Sequence, residues 1–238
     1  MNKTPRKPDN ELIKIAVSPR EARSWKGRAV VVDVLRCSTT LCALLARGKK
    51  TVRVFGRKKD ALAFFKEHKG WEFYSELDCG KNFRKFDNSP WQALRLSSPK
   101  KPAVIVTGAG TKAMASLGGA KQILAGCFAN LPQIAGHLKA HPEKTKIFPA
   151  CLFFSPWHIE DKIGAQAIKD AAEGRRAAAA AIKKIKSSAR LREFLDSRPE
   201  NGQRDQKIAL TAGGLKILPE IKLNGHYAAV KNLCKKKR

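Results

Sequence analysis

The sequence predicts an α/β protein of three layers, α/β/α, in which helices cover both faces of a mostly parallel or mixed sheet. Two continuous runs of apolar, largely β-branched residues, AVVVDV at 29–34 and PAVIVTG at 102–108, are typical of strands buried on both faces. Segments with the helical spacing of apolar residues alternate with such runs, and glycine ends two of these segments, at Gly48 and Gly70. This alternation favours parallel strands that are connected by helices.

The other predicted elements rest on the same patterns. Asn88 or Ser89 is expected to cap a helix that begins with Pro90. Alanine, the strongest helix former, predicts one helix over 175–195, whereas the polar segment 197–207 is predicted to be a loop. In chain order, the predicted strands are 13–19, 29–34, 51–56, 71–77, 102–108, 121–129 and 146–154, with a last pair at 216–221 and 226–230.

The 238 residues contain no internal repeat and no linker-like stretch, so we predict one domain over 1–238 with a basic tail at about 231–238. No apolar run approaches the roughly 20 residues that a membrane-spanning helix needs. The first residues are basic but lack the apolar core of a secretory signal, which predicts a cytoplasmic protein. The six cysteines are scattered without a close pair, which argues against a zinc site or a disulfide scaffold.

The formal charge of +28 is the most unusual global property of the chain. Such basicity suits a polyanion, a membrane surface or a small anionic substrate. Lys and Arg are spread along the sequence, and no aromatic RNA-binding pattern, zinc finger or basic zipper accompanies them. Neither membrane association nor specific nucleic-acid binding is therefore expected, although non-specific binding at low salt is. The expected partner is a small anionic phosphoester, and the sequence leaves open whether the chain forms a homo-oligomer.

The segment DVLRCSTT is the first group of residues that can carry chemistry. Ligands of open α/β sheets bind beyond the carboxyl ends of the strands, and Asp33 lies near such an end. Arg36 and three hydroxyl residues follow at the junction with a helix, whose first N–H groups attract anions. An ordinary strand end with a helix cap would use the same residue types, so both interpretations stay open. The hydroxyl residues are Ser38, Thr39 and Thr40.

Three further groups have both a chemical and a structural interpretation. TGAGTK at 107–112 places glycines after a buried strand, where the backbone can approach a ligand or simply turn. It matches neither the Walker loop nor the dinucleotide fingerprint. Glu160 and Asp161, at a predicted helix start, can complement the helix dipole or hold magnesium, which prefers oxygen ligands. Glu76 and Asp78 form the last acidic group, ahead of the FDNSP segment.

The order of these groups resembles the 2-phosphosulfolactate phosphatase family over roughly residues 13–222. VVDVLRCSTT is similar to the family's VVDVLRATTT, FDNSP to its FDLGNSP, and VTGAGTKAM to its TTTNGTRAL. HIEDKIGAQ resembles the family's leucine-glutamate-aspartate element, and QILAGCFAN resembles its leucine-glycine-phenylalanine-asparagine stretch. The resemblance implies magnesium-dependent hydrolysis of the phosphate ester of a small 2-hydroxy acid.

The resemblance also suggests roles for individual residues. Asp33 and Arg36 are expected to be catalytic, and the nucleophile is left open between a metal-bound water and Asp33 itself. The expected magnesium ligands are Asp33, Glu160, Asp161 and Glu76. The residues expected to bind the phosphoryl oxygens are Ser38, Thr39, Thr40, Asn88, Ser89, Gly110 and Thr111.

Three departures from the family pattern bear on activity. FDNSP is two residues shorter than FDLGNSP, so either Asp87 keeps the acidic role or Lys85 occupies that position. Gly108 and Ala109 replace polar residues of the presumed phosphate loop. Cys37 stands where the family usually has alanine, so it is not expected to be a nucleophile. The alternatives to an active phosphatase are a catalytically impaired family member and a basic protein that binds anions or nucleic acid.

Overall fold

The computed structural model describes residues 12–234, which form nine strands and ten α-helices. The last four residues of the predicted basic tail lie outside the described residues. The strands are β1 (Ile13–Ile15), β2 (Arg28–Val32), β3 (Val52–Val54), β4 (Glu72–Tyr74), β5 (Ala103–Ile105), β6 (Gln122–Gly126), β7 (Thr145–Pro149), β8 (Pro219–Asn224) and β9 (Tyr227–Asn232). The helices are α1 (Glu21–Ser24), α2 (Cys37–Ala46), α3 (Lys58–Glu67), α4 (Pro90–Arg95), α5 (Gly110–Ala115), α6 (Leu131–Ala140), α7 (Ile159–Ala172), α8 (Ala178–Lys186), α9 (Ala189–Asp196) and α10 (Gly202–Ala209).

Two parallel blocks of strands, joined by an antiparallel hairpin, make up the sheet. Its strand order is β1-β7-β2-β6-β8-β9-β3-β5-β4. β1, β7, β2 and β6 pair in parallel, as do β3, β5 and β4. β8 and β9 pair antiparallel with each other and with their neighbours β6 and β3. The predicted α/β fold with a mixed sheet is thus confirmed, and the predicted last strand pair is present with shifted bounds.

Helices cover both faces of this sheet. Along β2, Ala29 and Val31 belong to a core cluster that α2, α4 and α5 share, whereas Val30 and Val32 belong to a second cluster with α6, α7, α8 and α9. Strand side chains alternate between faces, so one apolar run serves both cores. Each buried valine contributes about 1.5–3 kcal/mol by leaving water. Among the helices of residues 12–234, none combines the length and apolar character that crossing a bilayer would require.

Two predicted elements end earlier than the sequence pattern suggested. The 175–195 segment forms two helices, because the Ser188 side chain accepts a hydrogen bond from the Leu191 N–H and thereby caps a new helix, α9. The predicted strand at 146–154 ends at Pro149, where the chain continues into a short 3-10 helix. The alanine content and the apolar run predicted the type of each element correctly and its end incorrectly.

The prediction of a loop over 197–207 was wrong in its second half, where α10 begins. This helix buries Asp205 and Ala209 against the rest of the protein. The polar composition of α10 gives no sign of this burial, because the Asp205 carboxylate accepts hydrogen bonds from residues that are distant in sequence, Arg36 and Ser89. Tertiary contacts therefore stabilise a helix that local propensity does not predict.

Candidate active site

A cavity of about 340 Å³ lies where strand ends of both parallel blocks contribute polar side chains. Asp33 and Arg36 line it from the segment between β2 and α2. Glu76 lines it from the segment after β4, and Gly108 from the segment between β5 and α5. Segments that are distant in the chain thus meet in one cavity. The other lining residues are Leu35, Leu77, Asn88, Ala109, Phe154, His158, Arg190, Glu193, Phe194, Ser197 and Arg198.

Main-chain donors hold the buried Asp33 carboxylate. Its Oδ1 accepts a hydrogen bond from the Cys37 N–H at 2.9 Å, and the Gly110 N–H is a second donor. Burial raises the pKa of Asp33 to about 7; the charges of Glu76 and Glu160 add to the increase, while the two N–H donors act against it. The protein therefore keeps carboxyl groups close enough to repel one another, and a bound cation would relieve that repulsion.

Three side-chain oxygens in or beside the cavity are buried and have no hydrogen-bond partner among the described residues: Glu76 Oε2, Asn88 Oδ1 and Glu160 Oε2. The other oxygen of Glu76 accepts a hydrogen bond from the Gly108 N–H at 2.7 Å, and the other oxygen of Glu160 accepts one from Arg190 Nε at 3.2 Å. Buried polar atoms are rarely left unpaired, so these oxygens are suited to contact a ligand.

Arg36 is tied to two carboxylates. Its Nη1 donates to Asp87 Oδ2 at 2.6 Å and to Asp205 Oδ2 at 2.7 Å, and its Nη2 donates to Asp87 Oδ1 at 2.9 Å. Burial acts to lower the pKa of Arg36, but the two carboxylates outweigh it and raise that pKa. Lys85 donates to the Ser75 carbonyl oxygen instead. Of the two residues that the shortened FDNSP segment left open, Asp87 is therefore the one that contacts Arg36.

The hydroxyl residues of α2 face the protein interior and do not line the cavity. Ser38 Oγ donates to the Val31 carbonyl oxygen at 3.2 Å, and Thr39 Oγ1 donates to the Val34 carbonyl oxygen at 2.8 Å. Thr40 is fully buried in the same turn. Ser and Thr side chains often bond to nearby main-chain groups in this way. The structure thus gives Ser38 and Thr39 a local structural contact where the sequence suggested a contact to phosphate. The Thr40 hydroxyl is buried without a hydrogen-bond partner among the described residues.

Of the other residues predicted to bind phosphate, three have structural contacts within the protein and one lines the cavity. The Thr111 side chain exchanges hydrogen bonds with the main chain of Thr107, and Gly110 packs against the Asp33 carboxylate. Ser89 is fully buried and caps α4. Asn88 is the member of the predicted set that lines the cavity. The rest of the cavity lining comes from other residues, among them Arg36, Arg190 and Arg198.

The predicted metal ligands occupy different environments. Asp33 and Glu76 line the cavity. Glu160 does not line it, but it accepts a hydrogen bond from Arg190, which does. Asp161 does not line it, and its Oδ1 accepts a hydrogen bond from the Val34 N–H at 2.9 Å. Burial raises the pKa of Asp161 well above its usual range, and the charges of Asp33 and Glu160 act in the same direction. Asp161 is thus placed as a buried acceptor that fixes the strand end.

The donor set of the cavity fits magnesium. Within residues 12–234, no three His, Cys, Asp or Glu side chains are gathered into a ready-made metal site. Magnesium nevertheless needs only one or two carboxylates, because water and substrate oxygens complete its coordination. Asp33 and Glu76 present carboxylates to the same cavity, and Glu76 Oε2 is not engaged by any described residue.

Sequence reasoning assigned no role to several residues that the fold brings to the cavity. Arg190 and Arg198 come from α9 and the segment after it, and His158 comes from the start of α7. Burial lowers the pKa of His158 to about 4, and the charge of Arg190 contributes, so His158 is neutral near pH 7. No local motif marks the two arginines, because α9 reaches the site through tertiary packing alone.

We expect Gly110→Ala to lower the free energy of unfolding by about 1–3 kcal/mol. A Cβ at this position would lie 2.6 Å from Asp33 Oδ2 and 2.6 Å from Cys37 Cβ, which is too close for either atom. Urea denaturation measures the change. The control is Gly136→Ala in α6, where a Cβ meets nothing within 4 Å and alanine is expected to stabilise the helix by up to about 1 kcal/mol. Equal effects of the two substitutions would contradict the prediction.

Comparison with known proteins agrees with the geometry. A family model described as 2-phosphosulpholactate phosphatase matches residues 16–213, which is most of the chain. No curated protein matches the sequence. The matched region contains every residue that lines the cavity. The chain therefore belongs to the 2-phosphosulpholactate phosphatase family of phosphoric monoester hydrolases.

Proposed function

We propose that this protein uses magnesium to hydrolyse the phosphate ester of a small 2-hydroxy acid. The observation that carries the proposal is the composition of the cavity, where the carboxylates of Asp33 and Glu76 occur together with the guanidinium groups of Arg36, Arg190 and Arg198. Phosphoryl transfer depends on positioned positive charge at the phosphoryl oxygens and on oxygen ligands for the metal. One cavity of a phosphatase family member offers both.

The arginines provide the anion-binding side of the proposed site. Three N–H groups of Arg36 are used by Asp87 and Asp205, so two of the five guanidinium donors remain for an incoming anion. Arg198 donates to the Ser197 carbonyl oxygen and has no carboxylate partner within the described part of the chain. Its charge is thus available to attract an acid substrate into the cavity.

The carboxylates provide the metal-binding side. Asp33 and Glu76 would hold magnesium, with Glu160 nearby as a helper, and the ion would neutralise charge on the phosphoryl oxygens when bound. The N–H groups of Cys37 and Gly110 fix the orientation of Asp33 before any substrate binds. The apolar side chains of the lining limit water around these charges and so strengthen their interactions; they are Leu35, Leu77, Phe154 and Phe194.

Phosphate release from a panel of 2-phospho acids, with magnesium or with a chelator, tests the proposal. We expect release that requires magnesium and that is faster for 2-phospho acids than for a simple alkyl phosphate. Glu76→Gln is expected to raise the magnesium concentration for half-maximal rate by at least about tenfold, since it removes the negative charge of a proposed ligand. Asp78→Asn is the matched control, because Asp78 is exposed two positions further along the same segment and does not line the cavity.

Other outcomes favour the alternatives. No phosphate release from any substrate, with tight and salt-sensitive binding of RNA, would favour a basic nucleic-acid-binding protein. No release and no such binding, but retention of phosphate in the cavity, would favour a catalytically impaired family member. Release that is indifferent to the chelator would retain the phosphatase and refute the magnesium requirement.

A further inference from the structure

We propose that Asp205 is a positioning residue, which holds Arg36 and the 87–91 segment in the arrangement that binds the phosphoryl group. The inference rests on the proposed function, since that function places phosphate beside Arg36. Asp205 does not line the cavity and therefore acts through other residues. Asp205 lies in α10, which contains none of the motifs identified in the sequence.

The contacts of Asp205 join three segments at one buried point. The carboxylate is fully buried. Its Oδ1 accepts hydrogen bonds from Ser89 Oγ at 2.6 Å and from the Trp91 N–H at 3.1 Å, and its Oδ2 accepts one from Arg36 Nη1 at 2.7 Å. One carboxylate thus fixes both the guanidinium group and the start of α4. The distances to Ser89 Oγ and Arg36 Nη1 are those of strong, charge-assisted bonds.

Asp205 and Asp87 grip Arg36 in a way that leaves part of it free. Both N–H groups of Nη1 and one of Nη2 are used, so the Nε–H and the second N–H of Nη2 remain. The Phe194 ring lies 5.6 Å from Arg36 Cζ and limits movement on another side. The guanidinium group is therefore held by its used donors, and its unused donors are the ones that a phosphoryl group in the cavity can engage.

Asp205→Asn in the full-length chain tests whether Asp205 affects phosphate binding by positioning Arg36 or only through its charge. Removing a negative charge near an anion site would, by charge alone, tighten phosphate binding. Loss of positioning acts in the opposite direction, because Nη1 of Arg36 loses one of its two charged partners and keeps only Asp87. We expect the Kd for inorganic phosphate, measured by calorimetry, to rise by about tenfold, which corresponds to 1.4 kcal/mol. KM for a 2-phospho acid is expected to rise with it.

Asp196→Asn is the matched control, since it makes the same substitution at an exposed position at the end of α9. Its phosphate affinity is expected to equal that of the wild type. A folded Asp205→Asn protein with unchanged or tighter phosphate binding would overturn the proposal, even if the wild type is an active phosphatase. A wild type that binds no phosphate would overturn this proposal, and one that also releases no phosphate from any 2-phospho acid would overturn the proposed function.

Circular dichroism and a thermal melt establish whether the variant folds. Should Asp205→Asn fail to fold, Ser89→Ala carries the test, because it removes one donor to the carboxylate without changing any charge. We then expect a rise of about threefold in the Kd for phosphate, a shift that calorimetry resolves. Phosphate affinity equal to that of the wild type in this variant would refute the positioning role.

Discussion

Replacing Arg36 by alanine is expected to lower the free energy of unfolding by about 3–5 kcal/mol, as removal of one partner from a buried ion pair does. The change leaves the fully buried Asp205 carboxylate without its cationic partner. It also removes the guanidinium group from the cavity, so phosphatase activity is expected to fall by at least about a hundredfold. Urea denaturation and steady-state kinetics measure the two effects. The stability loss follows from the burial of Asp205, so this variant is expected to lose both stability and activity.

The double variant Arg36→Ala with Asp205→Asn is the control for the stability effect. It removes both charges, so the orphaned carboxylate no longer has to be buried. We expect the double variant to be more stable than Arg36→Ala by at least about 1 kcal/mol. A double variant that is less stable than the single one would contradict this explanation of the loss.

Asp33→Asn is expected to lower kcat by on the order of a hundred- to a thousandfold, the range for a group that acts on transition-state charge. The side chain lines the cavity and is held by main-chain donors, so the substitution removes its charge where phosphate and metal are proposed to meet. The measurement is the initial rate at saturating substrate and magnesium. This condition separates a loss in kcat from a loss in affinity.

Asp78→Asn is the control for this prediction too, because it removes an exposed carboxylate that does not line the cavity. Its kcat is expected to stay at the wild-type value. Circular dichroism confirms that the Asp33→Asn protein is folded before the rates are compared. A folded Asp33→Asn protein with wild-type kcat would exclude Asp33 from the reaction.

The sequence predicted where the strands of the site end, because strand ends follow from residues that are close together in the chain. The β-branched run of β2 predicts a strand buried on both faces, and its carboxyl end places Asp33 and Arg36 at the sheet edge. Glycine after β5 was compatible with a close approach to a ligand or with a simple turn, and the structure places Gly110 against the Asp33 carboxylate. Such features follow from periodicity and from the direction of the strands, which a single sequence carries.

The sequence could not predict which way the side chains of the site point, nor which of them pair with residues distant in the chain. A threonine such as Thr39 can face a ligand or its own strand end, and the sequence pattern is identical in both cases. Arg36 and Asp205 are 169 positions apart, so no spacing rule connects them. Arg190 comes from a helix that was predicted only from its alanine content. These contacts depend on packing, which local propensity does not encode.

The position of β8 and β9 in the chain has a consequence for folding during synthesis. They connect the two parallel blocks, yet both follow those blocks in the chain. On the ribosome, each half-sheet therefore emerges before the pair that unites them. Until then the edges of β6 and β3 are unpaired, and such edges invite association with other chains. A nascent chain that stalls just before residue 219 would lack the two strands that join the half-sheets, although every residue that lines the cavity would already have been made.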